Sequence, residues 1–407
     1  MELENNTEHI LNELNNAVLN HNKLRSDSLN LIASESILWD STSLADYVDL
    51  TRRAILGIPN ERYSEGGKYI DIIENITEKL LKESFKASFA EWRPISGSIA
   101  DGVLIHALTS VSDPVLATPT PLGHPTWHEN GYAGFRGLKL YDTPYDWNNL
   151  EPDYKKLEEF TSDNNMKLII EGSSLILFPP DFKKLKEASN GIPIWYDGAH
   201  ILGLIIGNKF PNPLNYGINA LSGSTQKTMA GPLGGVILTN NENMYKTIVK
   251  ATSNDMATPD YSRYVMLSKV LLNWKSSGNS LAKNITENAK TLAEELVNCG
   301  MRVILEERGY TSTHQIGLVA PGDMSSEMAA KRLSMKNIIT TPFPLPKEAK
   351  YSNVLRLGVT ELTQMGATEE DMKIVARIIN GAFTNDKDSI DSIKKLLGTL
   401  KAERVKL

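Results

Sequence analysis

Hydrophobic and polar positions change their period along the chain. Between residues 6 and 24, apolar residues recur at helical spacing and predict an amphipathic N-terminal helix. From about residue 70 to residue 270, short apolar runs of strand length alternate with longer stretches of helical period. This alternation predicts a mainly parallel sheet with helices on both faces, which is an α/β architecture.

The predicted strands of this region are short, apolar and bounded by turn residues. They are Pro114–Ala117, Lys167–Glu171, Pro193–Tyr196, Ile218–Ser222 and Val236–Thr239. The predicted helices are Asp71–Phe85, Ser98–Thr109, Asp181–Ser189, Asn243–Ala251 and Tyr264–Trp274.

The layout changes near residue 275, and this change predicts a second, smaller α+β domain. A long helix leads into it, followed by mixed strands and helices: Ser277–Asn298, Met301–Leu305, Gln315–Val319, Ser325–Lys336, Val354–Leu357, Thr368–Asn380 and a polar helical tail over 387–407. We therefore predict a helical arm at 1–30, a large domain at 31–275 and a small C-terminal domain at 276–407.

The composition of the chain disfavours several classes of function. The 407 residues are 41% hydrophobic and 23% charged, with a net charge of −6, so no basic excess points to a nucleic-acid partner. The one cysteine, Cys299, leaves no intramolecular disulfide and disfavours a cysteine-based metal site, so we expect no metal. No secretory signal pattern and no apolar run of roughly 18 residues is found, and we expect a cytoplasmic protein without a membrane span.

One lysine stands among small residues, in the segment SGSTQKTMAGPLGG at 222–235. Taken alone, Lys227 is more simply a structural or surface residue. However, Asp197 ends the preceding strand, and ligands of parallel sheets bind beyond the carboxyl ends of the strands. A lysine and an aspartate at neighbouring strand ends suit pyridoxal phosphate. The amine would form a Schiff base with the aldehyde, and the carboxylate would pair with the pyridine nitrogen.

Further segments supply what this cofactor needs. Ser96, Gly97 and Ser98 precede a predicted helix, where backbone N–H groups favour a phosphate, although such a motif more often only caps a helix. Ser224 and Thr225 add hydroxyl groups just before the lysine. His124 is a candidate to stack on the ring.

Two other side chains are candidates for contact with a substrate. Arg356 is a candidate partner for a substrate carboxylate, with a structural salt bridge as the alternative. Trp127 lies close to His124 in sequence and is a candidate for the substrate pocket.

Six segments together resemble the serine hydroxymethyltransferase family of fold-type I pyridoxal phosphate enzymes, over about residues 30–360. They are LIASES (31–36), RPISGSIADG (93–102), GHPTWH (123–128), WYDGAHILGLI (195–205), STQKTMAGPLGG (224–235) and VLRLGVT (354–360). The resemblance implies a large domain with a mainly parallel, seven-stranded-type sheet, a smaller C-terminal domain and a homodimer with its site at the subunit interface.

The resemblance also implies roles for individual residues. Lys227 would be the Schiff-base lysine, with Gln226 in place of the family's histidine, Asp197 would contact the pyridine nitrogen, and His124 would stack on the ring. His200 and Ser174 would lie near the phenolic oxygen, and Ser96, Gly97 and Ser98 would hold the phosphate. Ser34 and Arg356 would grip the carboxylate of a small amino acid.

The chain departs from the family pattern in several segments. The family's folate-contacting Asn-Ser region reads TTPFPLP over 340–346, with no asparagine. Two further motifs also differ. The family's Tyr-Ala-Glu-Gly motif reads Ala54-Ile55-Leu56-Gly57, and its Arg-Tyr-Tyr-Gly-Gly motif reads RYSEGG over 62–67, with one residue more. Leu56 cannot transfer a proton, which disfavours a folate-dependent reaction. Glu65 is our hypothesis for a relocated acid or base, and a solvated loop residue is the alternative.

These features predict a pyridoxal phosphate enzyme that acts at Cα of a small amino acid. The predicted reaction is aldol-type cleavage or formation of a carbon–carbon bond, as in an aldolase, a transaldolase or a hydroxymethyl transfer, without tetrahydrofolate. The alternatives are a racemase, transaminase or decarboxylase on the same scaffold, a true folate-dependent serine hydroxymethyltransferase, and a non-catalytic protein that keeps the cofactor fold.

Overall fold

The computed structural model of the chain describes residues 2–39, 47–384 and 389–404. Its α-helices are α1 (Glu2–Asp27), α2 (Lys68–Phe85), α3 (Gly97–Leu108), α4 (Tyr132–Phe135), α5 (Tyr154–Asp163), α6 (Phe182–Ala188), α7 (Leu202–Ile206), α8 (Glu242–Asp255), α9 (Tyr261–Asn298), α10 (Ser326–Ser334), α11 (Thr360–Gln364), α12 (Glu369–Thr384) and α13 (Ser389–Arg404).

The strands are short and fall into one large sheet and several small ones. They are β1 (Leu29–Asn30), β2 (Gly57–Ile58), β3 (Glu61–Arg62), β4 (Phe89–Glu91), β5 (Pro114–Ala117), β6 (Lys139–Asp142), β7 (Tyr145–Asp146), β8 (Glu151–Pro152), β9 (Leu168–Glu171), β10 (Ile194–Asp197), β11 (Ala220–Ser224), β12 (Gly235–Thr239), β13 (Gln315–Val319), β14 (Ile338–Ile339), β15 (Thr341–Pro344) and β16 (Asn353–Gly358).

The large sheet has seven strands in the order β4-β12-β11-β10-β9-β5-β6. The five strands from β11 to β6 run parallel, while β12 is antiparallel to both of its neighbours. The predicted mainly parallel sheet is therefore confirmed. In this register Asp197 lies opposite Ser222, so the ends of β10 and β11 meet at one edge of the sheet.

Helices cover both faces of this sheet because its strands are apolar on both sides. Ile194 and Tyr196 of β10 belong to the core shared with α2 and α9, whereas Trp195 between them belongs to the core shared with α3 and α8. Successive side chains of a strand point to opposite faces, and burial on both faces gives the continuous apolar runs seen in the sequence.

Helix α9 differs from its prediction. The two expected helices, Tyr264–Trp274 and Ser277–Asn298, are one continuous helix of 38 residues. Gly278 lies within this helix and allows close packing of the Trp274 ring, because a Cβ atom there would lie 2.3 Å from that ring. Since α9 runs unbroken past residue 275, the predicted boundary between domains 31–275 and 276–407 stays a prediction.

The C-terminal region carries a three-stranded antiparallel sheet in the order β13-β16-β15. The predicted strand Met301–Leu305 is wrong. Within it only a single bridge joins Val303 to Leu318, and Leu305 has a left-handed backbone with φ of 58°. A residue in that conformation ends an extended segment, and a short 3₁₀ turn follows over Glu306–Arg308.

The N-terminal helix is longer than the predicted 6–24. It leads into β1, which pairs in parallel with β14 of the C-terminal region. The predicted helical tail over 387–407 corresponds to α13, and its remaining residues lie outside the described part of the chain. Among the described residues, no helix has both the length and the apolar character needed to cross a bilayer.

Candidate active site

The loop after β11 holds Lys227 in a compact turn. Thr225 N–H donates to the carbonyl of Gly234 across 2.9 Å, and Gly231 N–H donates back to Thr225 across 2.8 Å. The Ser36 hydroxyl also donates to the carbonyl of Gln226 across 2.6 Å, which ties the LIASES segment to this loop. Glycines and small polar residues permit this tight course, and the lysine side chain is directed into the protein as a result.

The amine of Lys227 lies in a mostly buried position. Its Nζ atom is 3.2 Å from Nε2 of His200. Burial lowers the pKa of Lys227 from 10.5 to about 8, aided by the positive charge of Arg356 and opposed by the carboxylates of Asp197 and Asp101. An amine with this pKa is uncharged in an appreciable fraction of molecules near neutral pH and can act as a nucleophile.

Two carboxyl groups share this pocket. Asp197 ends β10 and accepts a hydrogen bond of 2.8 Å from the N–H of Ala199. Asp101 comes from α3, is 2% exposed, and accepts a hydrogen bond of 2.6 Å from the hydroxyl of Thr126. Burial raises the pKa of both, and the charge of Asp197 raises the pKa of Asp101 further, while Lys227 and His124 oppose the rise at Asp197. The pair therefore favours a charged Asp197 beside a protonated Asp101.

His124 faces the same pocket from a short 3₁₀ turn, Pro125–Trp127. Its Nδ1 accepts from the N–H of Thr126 at 3.3 Å and lies 2.8 Å from the hydroxyl of that residue. Burial lowers the pKa of His124, against the charge of Asp197, so the ring is uncharged at neutral pH. The ring of Trp127 is 1% exposed and packs edge-on against Trp195, 5.7 Å between centroids.

The N-terminus of α3 forms a small cradle. The Ser96 hydroxyl accepts from the N–H of Ile99 at 3.2 Å and so acts as a helix cap. Gly97 leaves no room for a side chain, because a Cβ atom there would lie 2.2 Å from Oγ of Ser224. The N–H groups of Gly97 and Ser98 remain at the positive end of a helix of 12 residues, as a phosphate requires. The Thr225 hydroxyl donates to Pro232 within the loop.

Arg356 lies on β16 and is 7% exposed. Its Nη1 donates to the carbonyl of Ser174 across 2.6 Å, and its guanidinium lies 5.3 Å from the ring of Phe343. Burial alone lowers the pKa of Arg356 to about 10, and Nε has no partner. In the described part of the chain no carboxylate pairs with this cation, so the salt bridge considered from the sequence is not formed there.

The structure gives less support for the predicted roles of two residues, Ser34 and Glu65. Ser34 is half-buried, and the carbonyl of its neighbour Ala33 lies 3.1 Å from Nε2 of His314. Glu65 is exposed in the bend before α2. Across the described ranges, no hydrogen bond or ion pair joins Glu65 to the groups around Lys227. The proposed roles of both residues stay predictions.

Three residues of the site were not predicted from the sequence. Asp101 lies within the segment RPISGSIADG, on the buried face of α3, and an acid on an apolar helix face was a signal for it. Gln315 begins the apolar strand β13, His314 directly precedes it, and both are fully buried. The His314 ring is stacked on His200 at 6.0 Å, and Nε2 of Gln315 lies 3.0 Å from Nδ1 of His200.

The comparisons with known proteins agree with this geometry. The family model described as serine hydroxymethyltransferase matches residues 8–379. The chain belongs to the serine hydroxymethyltransferase family. It is 34% identical over 392 residues to the serine hydroxymethyltransferase of Archaeoglobus fulgidus, covering 94% of this chain and 88% of the relative. It is 33% identical over 392 residues to that of Thermoplasma volcanium, covering 94% and 92%.

The fold is shared with a solved structure, the L-threonine transaldolase from Pseudomonas fluorescens in its internal aldimine state. The TM-score is 0.86 at 24% identity, and the match covers 98% of this chain and 93% of the other. The predicted resemblance and the fold-type I architecture are thus confirmed. As a member of this family, the protein is a pyridoxal phosphate-dependent transferase or lyase.

The residues present fit pyridoxal phosphate. The pocket supplies one amine of lowered pKa, the carboxyl group of Asp197, an uncharged histidine and a helix N-terminus where Gly97 allows Ser224 to approach closely. Across the described ranges, no cluster of three or more His, Cys, Asp or Glu side chains is arranged to hold a metal ion.

Proposed function

We propose that this protein cleaves or forms the Cα–Cβ bond of a small β-hydroxy amino acid by aldol chemistry, without tetrahydrofolate. The proposal rests on the surroundings of Arg356. Its buried guanidinium lowers the pKa of Lys227 and has no carboxylate partner in the described chain. A buried cation needs an anion, and the carboxylate of an amino acid supplies one next to the reactive amine.

The cofactor, when bound, supplies an aldehyde and a ring that stabilises negative charge at Cα. Lys227 would hold it covalently, Asp197 would face the ring nitrogen, and His124 would cover the ring. The N–H groups of Gly97 and Ser98 would hold the phosphate, with Ser96 and Ser224 shaping the cradle.

The proposed cleavage moves one proton off the substrate and one onto it. The β-hydroxyl loses its proton, the Cα–Cβ bond breaks, an aldehyde leaves, and Cα takes up a proton to give glycine. The first step needs a base. Burial lowers the pKa of His124, so its ring is uncharged at neutral pH and is a candidate to accept this proton. Glu65 is a second candidate, from the exposed loop before α2.

Two apolar side chains support independence from folate. Leu56 is an aliphatic residue, 38% exposed, where the resemblance places the family's glutamate. Phe343 lies over Arg356 at 5.3 Å, in the segment TTPFPLP where the resemblance places a folate contact. Neither side chain can donate a hydrogen bond to a pterin ring or accept one from it.

Product analysis tests the proposal. The purified full-length protein is incubated with pyridoxal phosphate and either threonine or serine, with and without tetrahydrofolate, and products are separated by mass spectrometry. We expect glycine and the matching aldehyde without tetrahydrofolate. Turnover only with tetrahydrofolate would identify a true serine hydroxymethyltransferase. A D-amino acid, a keto acid or an amine as the main product would identify a racemase, a transaminase or a decarboxylase.

Borohydride reduction followed by peptide mapping provides the control on the site. We expect the reduced cofactor on Lys227. If no lysine carries it, the protein is a non-catalytic member of the family, and the enzymatic proposal is wrong.

We also propose that the protein is a homodimer. Helix α1 exposes a row of large apolar side chains that the described chain leaves uncovered: Ile10, Leu11, Leu14, Val18, Leu19 and Leu24. A second copy of the chain is the simplest cover for such a face. Light scattering at micromolar concentration should give twice the 45.1 kDa of one chain. A cytoplasmic location stays a prediction, which cell fractionation would test.

A further inference from the structure

A line of hydrogen bonds runs from the main chain to the amine of Lys227. The N–H of Ile176 donates to Oε1 of Gln315 across 2.7 Å. Nε2 of Gln315 lies 3.0 Å from Nδ1 of His200 and 3.3 Å from the carbonyl of Ser174. Nε2 of His200 then lies 3.2 Å from Nζ of Lys227. Gln315 comes from β13, whereas its partners come from the large sheet and its loops.

The orientation of the Gln315 amide is fixed by its partners. The Ile176 N–H can only donate, so the amide oxygen must face it. The Ser174 carbonyl can only accept, so the amide nitrogen must face that side. Turning the amide over would set two donors against each other and two acceptors against each other. The amide N–H therefore points at Nδ1 of His200.

The orientation of Gln315 determines the tautomer of His200. Because Nδ1 faces a donor, it must accept, and the proton of the neutral ring is carried by Nε2. Nε2 faces Lys227, so the ring presents N–H to the amine. A protonated lysine would set two donors against each other at 3.2 Å, whereas the uncharged amine accepts through its lone pair.

We propose that Gln315 is a positioning residue that fixes the Nε2–H tautomer of His200 and so directs a hydrogen-bond donor at the amine of Lys227. The proposal rests on the proposed role of Lys227 as the residue that holds the cofactor. It assigns Gln315 the task of favouring the uncharged, reactive form of that amine.

The charged groups around His200 and Lys227 also shift the pKa values of these two residues. Burial lowers the pKa of His200 well below its ordinary value, and Lys227, Arg356, His314 and His124 lower it further. Arg356 also lowers the pKa of Lys227, while Asp197 and Asp101 raise it. The tautomer adds a directional preference that these charges do not provide, because it depends on which nitrogen of the ring faces the amine.

The first test measures the wild-type chain. Nitrogen-15 NMR of the histidine rings in the full-length protein, freed of cofactor, separates protonated from unprotonated ring nitrogens. The His200 signals are assigned by their loss in His200→Asn. We expect an unprotonated Nδ1 and a protonated Nε2. A protonated Nδ1, alone or together with Nε2, overturns the proposal.

The second test removes the N–H donor of the Gln315 side chain and keeps its oxygen acceptor. Gln315→Glu still accepts from Ile176, but it turns an acceptor toward Nδ1 and favours the opposite tautomer. The probe is the rate at which the cofactor-free chain captures pyridoxal 5'-phosphate, followed by absorbance across pH. We expect the midpoint to rise by about one pH unit, which is roughly a tenfold lower rate below the midpoint.

Gln364→Glu is the matched control. Gln364 also bridges main-chain groups, accepting from Ile37 N–H at 2.9 Å and donating to its carbonyl at 2.8 Å, with no bond to His200. We expect its midpoint to equal that of the wild type. Equal midpoints in Gln315→Glu and the wild type, or equal shifts in both variants, overturn the proposal.

The outcomes separate this proposal from the proposed function. If Gln315→Glu does not fold, the wild-type NMR measurement still decides. If the wild type captures no cofactor on Lys227, the proposed function fails, while the tautomer of His200 still tests the role of Gln315.

Discussion

Arg356 and Ser174 are joined by a hydrogen bond of 2.6 Å from the guanidinium Nη1 to the main-chain carbonyl. The bond links β16 of the C-terminal sheet to the loop that follows β9. The Ser174 backbone is itself held, because its N–H donates to Leu122 across 2.8 Å. The arginine is thus positioned by main chain and not by a carboxylate, which leaves its remaining donors for an incoming anion.

Replacing Arg356 by glutamine should weaken substrate binding and leave the cofactor in place. A charge-assisted contact contributes about 1.5–3 kcal/mol, so we expect kcat/KM to fall roughly 10- to 100-fold, mainly through KM. Steady-state kinetics with the substrate found by product analysis measures this, and titration with pyridoxal phosphate should show unchanged affinity.

Arg356→Lys is the matched control for this change. It keeps the charge but loses the planar fork, so its KM should lie between the wild type and Arg356→Gln. If Arg356→Gln lowers cofactor affinity and leaves KM unchanged, the arginine serves the cofactor pocket and the proposed grip on the substrate is wrong.

Asp101 and Asp197, the two carboxyl groups beside Lys227, should respond very differently to the same substitution. Burial and the charge of Asp197 raise the pKa of Asp101 well above its ordinary value, which favours its neutral form, and Asp101→Asn keeps this position neutral. We expect activity within a few fold of the wild type. Asp197→Asn removes the charge that would face the ring nitrogen, and kcat should fall roughly 100-fold or more, the scale of a lost electrostatic partner in a buried site.

The comparison of the two variants is internally controlled, since each changes one carboxyl in the same pocket. Kinetics and the absorbance spectrum of the bound cofactor are measured for both. A large loss in Asp101→Asn together with a small loss in Asp197→Asn would mean that the charge resides on Asp101, and the assignment of the ring partner would be reversed.

The sequence predicted the parts of the site that follow strand ends. Asp197 and Lys227 come after apolar runs whose composition marks buried parallel strands, and β10 and β11 pair in the register that brings those ends together. His124 and Arg356 were candidates by residue type alone, and the resemblance supplied His200 and connected all three, because no period or spacing links such distant segments of the chain.

Other features could not be predicted because they depend on tertiary contacts. Gln315 opens an apolar strand, and only the fold shows that its amide meets His200. The two helices predicted on either side of residue 275 are one continuous helix, α9, in which the Trp274 ring packs closely on Gly278. Likewise, the apolar run Met301–Leu305 has strand composition, but Leu305 takes a left-handed turn instead of extending a ladder.

The buried amine of Lys227 should reduce the stability of the cofactor-free chain at neutral pH. In the unfolded chain its pKa is 10.5, and burial lowers it to about 8 in the folded chain. Below pH 8 both states carry the proton and the folded state bears the full penalty. Between pH 8 and 10.5 the unfolded state binds more protons, so stability rises with pH.

Lys227→Met removes this penalty. We expect the variant to be more stable than the wild type below pH 8, by up to roughly 3 kcal/mol, with the difference vanishing toward pH 10.5. Urea unfolding of the cofactor-free proteins across pH measures it. Lys209→Met, at an exposed lysine, is the control and should not change the pH dependence. A difference at Lys227 that stays constant with pH would mean that the amine is not the source.

Glu65 provides the sharpest test of how the chain replaces the glutamate missing at Leu56. Arg62 anchors the base of its loop through ion pairs with Asp71 and Glu74, and Glu65 itself is exposed. If its carboxylate serves as acid or base in an assembled dimer, Glu65→Gln should lower kcat roughly 100-fold with little change in KM or cofactor affinity. Glu61→Gln, at an exposed glutamate four residues earlier, is the matched control and should behave as the wild type. Equal kcat values in both variants and the wild type would show that Glu65 is a solvated loop residue, and proton transfer would then fall to His124.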